Sequence, residues 1–503
     1  MEFQQFLACI FACTGMASAT AVNFGPVRVS SFEMATVNVT IPGEVKMGIV
    51  AVRTEGAENL DFTSAGKVHC GVKTAHDGNH VCVAAVVFRP LYSGPRYGAV
   101  VIADVDDNVV GTTYVYGMGL APQAIFMPGT QTPISGISHP NGLAVDEQGN
   151  VYVTDYDSGS LYKETLLSNR GYSQSTVANG LSSVRAVAVD GSGNIFVGGA
   201  GMYILMETLQ PDGGYKQSRI GSDLGATGGL AVDGSGSLYV TDYNFGRVFK
   251  EMPSFDGTYT QTMIASGLDS PTGIAADSRG NLYIALHKRI CKERLSGHKY
   301  MQTSITGAFR GPQGVALDAI GNIYVFDFST GGVYKEKVNG GSYVESLLAN
   351  NVGGNYVAVD GAGNLYVSDD GRGIITRIDF ADPPSLSFVA TRSREISVDS
   401  PQSVVVSNLG NLSLRFSAVR YPADFQKVHS RGSVCSAGTL LPPGGACTLT
   451  ISFSPIAANS GGASISLSEK VTVATNALRA TAPPQTITVI GNNAGSELQV
   501  SPP

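Results

Sequence analysis

Chemistry in a protein chain needs nucleophiles, proton carriers or metal ligands brought together, and this sequence spreads them thinly. Its seven histidines are His69, His76, His80, His139, His287, His298 and His429, and a serine triad, a Walker loop and a dinucleotide fingerprint are all absent. What stands out is a set of polar residues that interrupt an otherwise regular pattern: His139, Arg185, His287, Lys288, Arg289, Arg310 and Tyr356. A repeat does not need such side chains to fold, so they are free to contact a ligand. Imidazole, guanidinium and phenol groups suit hydrogen bonding to a sugar or a peptide. With Asn141 added, the candidate binding set is His139, Asn141, Arg185, His287, Arg289, Arg310 and Tyr356. No catalytic residue, metal ligand or cofactor is assigned.

The pattern they interrupt is a phrase that occurs six times: GLAVDEQGNVYVTD, AVAVDGSGNIFVGG, GLAVDGSGSLYVTD, GIAADSRGNLYIAL, GVALDAIGNIYVFD and YVAVDGAGNLYVSD. Its aspartates, Asp146, Asp190, Asp233, Asp277, Asp318 and Asp360, stand 41 to 44 residues apart. Each period holds four short runs rich in β-branched and aromatic residues, separated by Gly, Asn, Asp and Ser, which describes one blade of a β-propeller. Asp155, Asp242, Asp327 and Asp369 each precede a glycine by four residues and read as turn formers, not metal ligands. The sixth period lacks a fourth strand, and the segment Gln123 to Ile134 ahead of the first period is expected to supply it and close the ring.

Outside the repeat, Cys70, Cys82, Phe88 and Pro90 have the same spacing as Cys435, Cys447, Phe453 and Pro455. Alternating strands and regular turns around them predict two β-sandwiches. Each cysteine pair reads as a disulfide, which leaves Cys291 as a buried core thiol once Cys9 and Cys13 depart with a secretion signal. That signal is the apolar stretch from Phe6 to Ala21, which ends in small residues although its first residues are acidic.

With 62 glycines, 43% hydrophobic and 15% charged residues, the 503-residue chain favours many turns and a folded core. Its formal charge of −7, with no basic run, argues against nucleic acid and polybasic membrane contacts. No later stretch is apolar enough to form a transmembrane segment.

The repeat, best seen in HPNGLAVDEQGNVYVTD, resembles the NHL family of β-propellers, and the flanks resemble the immunoglobulin-like modules of the Hydin and abnormal-spindle type. The resemblance implies an all-β fold: a signal peptide at 1–21, an immunoglobulin-like β-sandwich at 22–121, a six-bladed NHL β-propeller at 122–382, a second sandwich at 383–495 and a tail at 496–503. It also implies binding and not a defined reaction. The expectation is a monomeric exported protein, secreted, periplasmic or at the cell surface, which recognises a protein or polysaccharide partner through one propeller face. The alternative is a propeller enzyme, either a gluconolactonase- or paraoxonase-like metal-dependent hydrolase or a virginiamycin-lyase-like lyase. The first needs Glu ligands that the channel strands lack, and the second would have only His139 and His287 at the channel.

Overall fold

The computed structural model describes residues 21–43, 45–71, 78–297, 299–305, 307–350, 352–428, 432–457, 464–477 and 484–494. Residues 1–20 of the expected signal, the tail after 494, and His76, His298 and His429 lie outside the described residues. Every regular element among the described residues is a strand.

Six four-stranded antiparallel sheets form a propeller-like ring. The first comprises Pro140–Val145, Val151–Asp155, Ser160–Leu166 and Tyr172–Ala178. Four more follow in chain order within 184–220, 227–265, 274–305 and 312–349. The sixth takes Val357–Val359, Leu365–Asp369 and Ile374–Asp379, and is completed by Thr130–Ser135, whose Thr130 lies opposite Asp379. The first strands of successive sheets touch around the ring, and Pro140–Val145 also meets Val357–Val359. The expected closing segment is thereby corrected in extent. Only its second half closes the ring, while Ala124–Met127 pairs with Gln402–Asn408 of the C-terminal sandwich, where Phe126 is fully buried.

The repeated aspartate explains why each first hairpin forms. Asp146 accepts the backbone N–H groups of Gln148 and Asn150, the Asn150 side-chain amide, and the Tyr152 hydroxyl at 3.0 Å. The Asn150 side-chain oxygen Oδ1 then accepts the N–H of Leu166 in the third strand, so one buried carboxylate and its asparagine tie three strands together. Asp277, Asp318 and Asp360 repeat the arrangement with Tyr283, Tyr324 and Tyr366, and Asp233 with Tyr239. The second sheet has Phe196 at the tyrosine position. Its Asp190 instead receives the hydroxyl of Tyr114, which reaches over from the N-terminal sandwich at 2.8 Å.

Each flanking region is a pair of sheets around one core. In the N-terminal one, Val22–Arg28 runs parallel to Val109–Leu120; in the C-terminal one, Ser385–Ser387 runs parallel to Gln485–Asn493. Phe62 stacks on Phe88 with ring centroids 4.7 Å apart, and Phe425 on Phe453 at the same distance. Cys70 is bonded to Cys82 and Cys435 to Cys447, as the spacing predicts, and Cys291 is free and buried. The two regions lie against one face of the ring, on the side of the Asp146-type hairpins. A Cβ added to Gly191 would stand 2.6 Å from the Gly98 carbonyl oxygen, and one on Gly234 2.8 Å from the Tyr97 ring, so glycine is what permits this docking. On the C-terminal side, Gln123 donates to the Gly361 carbonyl and Leu409 packs by Gly363.

A second repeated pair joins the third and fourth strands. Gln174, Gln217 and Gln302 donate to Glu164, Glu207 and Glu293 at 2.6–2.9 Å. In the fifth sheet the glutamine position holds Glu345, which faces Glu336. Burial, followed by the Glu345 charge, pushes the Glu336 carboxyl up to about 7.

Two outcomes follow. A carboxyl raised in the folded state holds its proton between about pH 4.5 and 7 while the unfolded chain releases it, so stability is lost as pH rises through that window. Glu345→Gln should therefore raise the unfolding free energy at pH 8 by on the order of 1–3 kcal/mol and change it little at pH 4.5; equal effects at the two pH values would contradict this assignment. Tyr114→Phe, which removes the phenol and leaves Asp190 only the donors of Ser192 and Asn194, should cost about 1–3 kcal/mol in denaturant unfolding, and an unchanged midpoint would show that the contact is dispensable.

Candidate functional site

The ring has one covered face and one open face. The open face is built by the loops leading into each sheet and by the turns between second and third strands, and the second set of repeated aspartates fixes these to one another. Asp155 accepts the N–H groups of Ser138 and His139 from the leading loop, and of Asp157 and Ser158 from its own turn. Asp327 does the same for Arg310, Gly311 and Thr330, and Asp369 for Gly353 and Arg372. These carboxylates are committed to the backbone, which places His139 and the neighbouring loop residues at fixed heights above the channel.

At the centre of this face lies a pocket of about 300 Å³. His139, Asn141, Arg185 and Tyr356 from the sequence-derived set line it, together with Tyr156, Thr227, Gly228, Tyr243, Thr272, Gln313, Asn355 and Asp370. His139 sits between two carboxylates, with Nδ1 3.5 Å from Asp157 and Nε2 3.4 Å from Asp370. Asn355 donates to Asp370 at 3.3 Å, and the Arg185 guanidinium lies 5.7 Å over the Tyr156 ring. Tyr356 crosses the channel from the sixth sheet to the third, where its hydroxyl donates to the Gly228 carbonyl. Burial pushes the Tyr356 phenol above its ordinary pKa, with Arg185 opposing, so it remains a donor that closes the pocket floor.

His287, Arg289 and Arg310 do not line the pocket. All three are exposed on the same side of the ring. In the fourth sheet a tight turn joins the second and third strands, with Arg289 paired opposite Leu286, which keeps these cations at the rim. The Arg310 backbone is held by Asp327 while its side chain stands outside. Around the pocket the same turns carry exposed apolar side chains: Tyr156, Met202, Tyr243, Phe245 and Phe328, with Met202, Phe245 and Phe328 each more than half exposed. The Cys291 thiol is buried and pushed up to about 12, chiefly by desolvation and then by the Glu293 charge, which makes it a poor nucleophile.

Among the described residues, no three His, Cys, Asp or Glu side chains converge in a way that would hold a metal ion. The pocket's acidic side chain, Asp370, is engaged with His139 and Asn355, so the donor set does not match a calcium cage built from several free carboxylates.

Sequence reasoning missed a second and larger cavity, of about 1040 Å³, on the covered face between the N-terminal sandwich and the ring. Glu55, Arg96, Tyr97, Glu147 and Arg279 are among the residues that line it. One sequence signal pointed there. In the six aspartate hairpins the residue after Asp is Glu147, Gly191, Gly234, Ser278, Ala319 and Gly361, and Glu147 alone carries charge.

A family model described as the NHL repeat matches residues 138–161. No curated protein matches the chain. Among solved structures, a gluconolactonase of Xanthomonas campestris aligns at 16% identity over 52% of this chain and 95% of that one, with a TM-score of 0.43. A virginiamycin B lyase of Staphylococcus aureus aligns at 12% identity over 70% and 100%, with a TM-score of 0.36. A chain of the nidogen/laminin complex aligns at 20% identity over 44% and 92%, also at 0.36. At these scores none carries its chemistry over to this chain.

Asp155→Ala should release the 138–141 loop. We expect a loss of about 1–3 kcal/mol in stability and faster amide hydrogen exchange at Ser138 and His139. Exchange at wild-type rates would show that the loop is held by something other than this carboxylate.

Proposed function

We propose that this chain is an exported binding protein in which a six-bladed NHL-type propeller, residues 122–382, is held by two immunoglobulin-like sandwiches, 22–121 and 383–495, and captures a protein or glycan partner on its open face. The observation that carries the reading is the contrast between the faces. The sandwiches cover one, and the other presents exposed Met202, Tyr243, Phe245 and Phe328 around the pocket of His139, Arg185 and Tyr356. Exposed aromatic side chains beside an arginine are the composition of energetic centres in binding surfaces. Two disulfides and the apolar N-terminal stretch support export. No helix among the described residues is long and apolar enough to cross a membrane.

One observation favours a second reading. His139 between Asp157 and Asp370 is a proton carrier with carboxylates to orient it, beside a cation that can stabilise developing negative charge, which is the equipment of a lyase or hydrolase.

The two readings separate in one experiment. Soluble cell-wall glycans and a peptide array are screened for binding to the wild type and to the Tyr243→Ala, Phe245→Ala, Arg185→Ala and His139→Ala variants, and the same proteins are assayed for lactone hydrolysis and streptogramin cleavage with and without chelator. The binding reading expects a partner whose affinity falls about tenfold or more in Tyr243→Ala or Phe245→Ala, with no turnover in any sample. Turnover abolished by His139→Ala would replace it with the enzyme reading.

A further inference from the structure

We propose that the open-face pocket selects a terminal sugar acid, a single ring that carries a carboxylate beside its hydroxyls. The inference rests on the open-face binding reading and narrows it to one ligand chemistry. It starts from the repeat. Five residues ahead of each hairpin aspartate the chain has Asn141, Arg185, Gly228, Thr272, Gln313 and Asn355, and all six line the pocket, so every sheet gives one residue to a collar around the axis. The collar holds amides, a hydroxyl and a guanidinium, and no carboxylate. One position further on, the residue is Gly or Ala in five sheets and Tyr356 in the sixth. The Tyr356 hydroxyl reaches across to the Gly228 carbonyl, at the collar position that has no side chain, and closes the floor. A pocket of about 300 Å³ closed below is at the lower end of small-ligand sites, so a ligand enters by its end and is held by about one ring.

The lining selects the chemistry. Ligand pockets are as a rule mostly hydrophobic with a few polar groups, and here the proportion is reversed: no Leu, Ile, Val, Met or Pro lines the pocket, and its apolar surface is aromatic, from Tyr156, Tyr243 and Tyr356. A ligand covered in hydroxyls uses such a surface, whereas an aliphatic peptide side chain finds nothing to pack on. The side chains of Asn141, Gln313 and Arg185 are half-buried, and among the described residues none of them makes a hydrogen bond or an ion pair. Along one wall the order is fixed. The Arg185 guanidinium lies 5.7 Å from the centre of the Tyr156 ring, that ring 5.8 Å from the His139 ring, His139 Nε2 3.4 Å from Asp370, and Asp370 3.3 Å from the Asn355 amide. The guanidinium and the lining's single carboxylate therefore stand on opposite sides of the two rings and do not pair with each other. A ligand carboxylate is held by the free fork of Arg185, and ligand hydroxyls donate to the lone pairs that His139 and Asn355 leave on Asp370. A neutral sugar leaves Arg185 without an anion and a simple carboxylate leaves Asp370 without a donor; a sugar acid supplies both.

The probe is D-glucuronate, titrated calorimetrically into the full chain alongside its methyl ester, D-glucose and N-acetylalanine, the last standing in for a peptide C-terminus. Saturable binding of glucuronate is the expected result, with each of the other three weaker by about tenfold or more, the cost of losing hydrogen bonds to a charged group. Arg185→Ala should abolish the difference between glucuronate and its methyl ester, which a merely structural change would not do. Gln313→Ala should weaken both alike by about fivefold, and Arg279→Ala, on the covered face, should leave both unchanged. No saturable binding at millimolar glucuronate, equal binding of the ester or of N-acetylalanine, discrimination against the ester that survives in Arg185→Ala, or a loss in Arg279→Ala would each overturn the assignment. A partner that depends on Tyr243 and Phe245 in a protein that does not bind glucuronate would remove this inference and leave the open-face reading standing; the absence of both would remove both.

Discussion

The structure depends on one interaction repeated six times: a buried aspartate that gathers the donors of its own hairpin and, in five of the six, through the asparagine four residues on, the third strand of its sheet. An ionised carboxylate is expensive to bury unless nearly every oxygen lone pair is engaged. Asp146 meets that condition with two backbone amides, one side-chain amide and one phenol. Because the requirement is strict, it fixes the residues at offsets of four and six from each aspartate, and this is why the repeat is so visible. It also couples domains. Where Phe196 withholds the phenol, Tyr114 provides it, so docking of the N-terminal sandwich completes the second sheet's hairpin instead of merely touching it.

The C-terminal sandwich is tied in differently. Its edge strand Ala124–Met127 comes from before the ring and its remaining strands from after it, so the ring is an insertion within that sandwich. The Phe126 N–H donates to the Phe380 carbonyl at 2.8 Å, which brings the start and end of the ring together outside its own sheets. Closure is therefore secured twice, by Thr130–Ser135 completing the sixth sheet and by the sandwich core that buries Phe126. Two flanking domains so attached act as a base under one face and not as spacers at opposite ends.

How much of this was legible follows from which forces are local. The hairpin aspartates, the strand pattern, the missing sixth-sheet strand and the cysteine pairs are short-range or arithmetic features, and the sequence displays them. The split of the 123–135 segment was not legible, because Ala124-Ile-Phe-Met127 and Thr130 to Ile134 are both acceptable strands and only the sandwich edge at Gln402–Asn408 distinguishes them. Four of the seven candidate residues share a pocket because their loops lead into the channel, while His287, Arg289 and Arg310 were drawn in by the same reasoning without a way to measure distance from the axis. The covered face was invisible for a similar reason, since docking between distant segments leaves only scattered glycines behind.

Departure from a repeat therefore has four physical origins, and the structure separates them by location. His139, Arg185 and Tyr356 depart on the open face, where no other part of the chain needs them except to shape the pocket. Gly191 and Gly234 depart in the opposite sense, losing a side chain so that another domain can approach. Glu345 departs within a sheet, replacing a neutral donor with a second acid and making that sheet sensitive to pH. Glu147 belongs with none of these. It neither opens space nor faces bulk solvent, and it adds a carboxyl to a buried group that already has more acids than cations. Its carboxylate meets the buried Arg96 of the N-terminal sandwich, and its backbone N–H donates to Glu55, so this departure ties the first sheet of the ring to the domain that covers it.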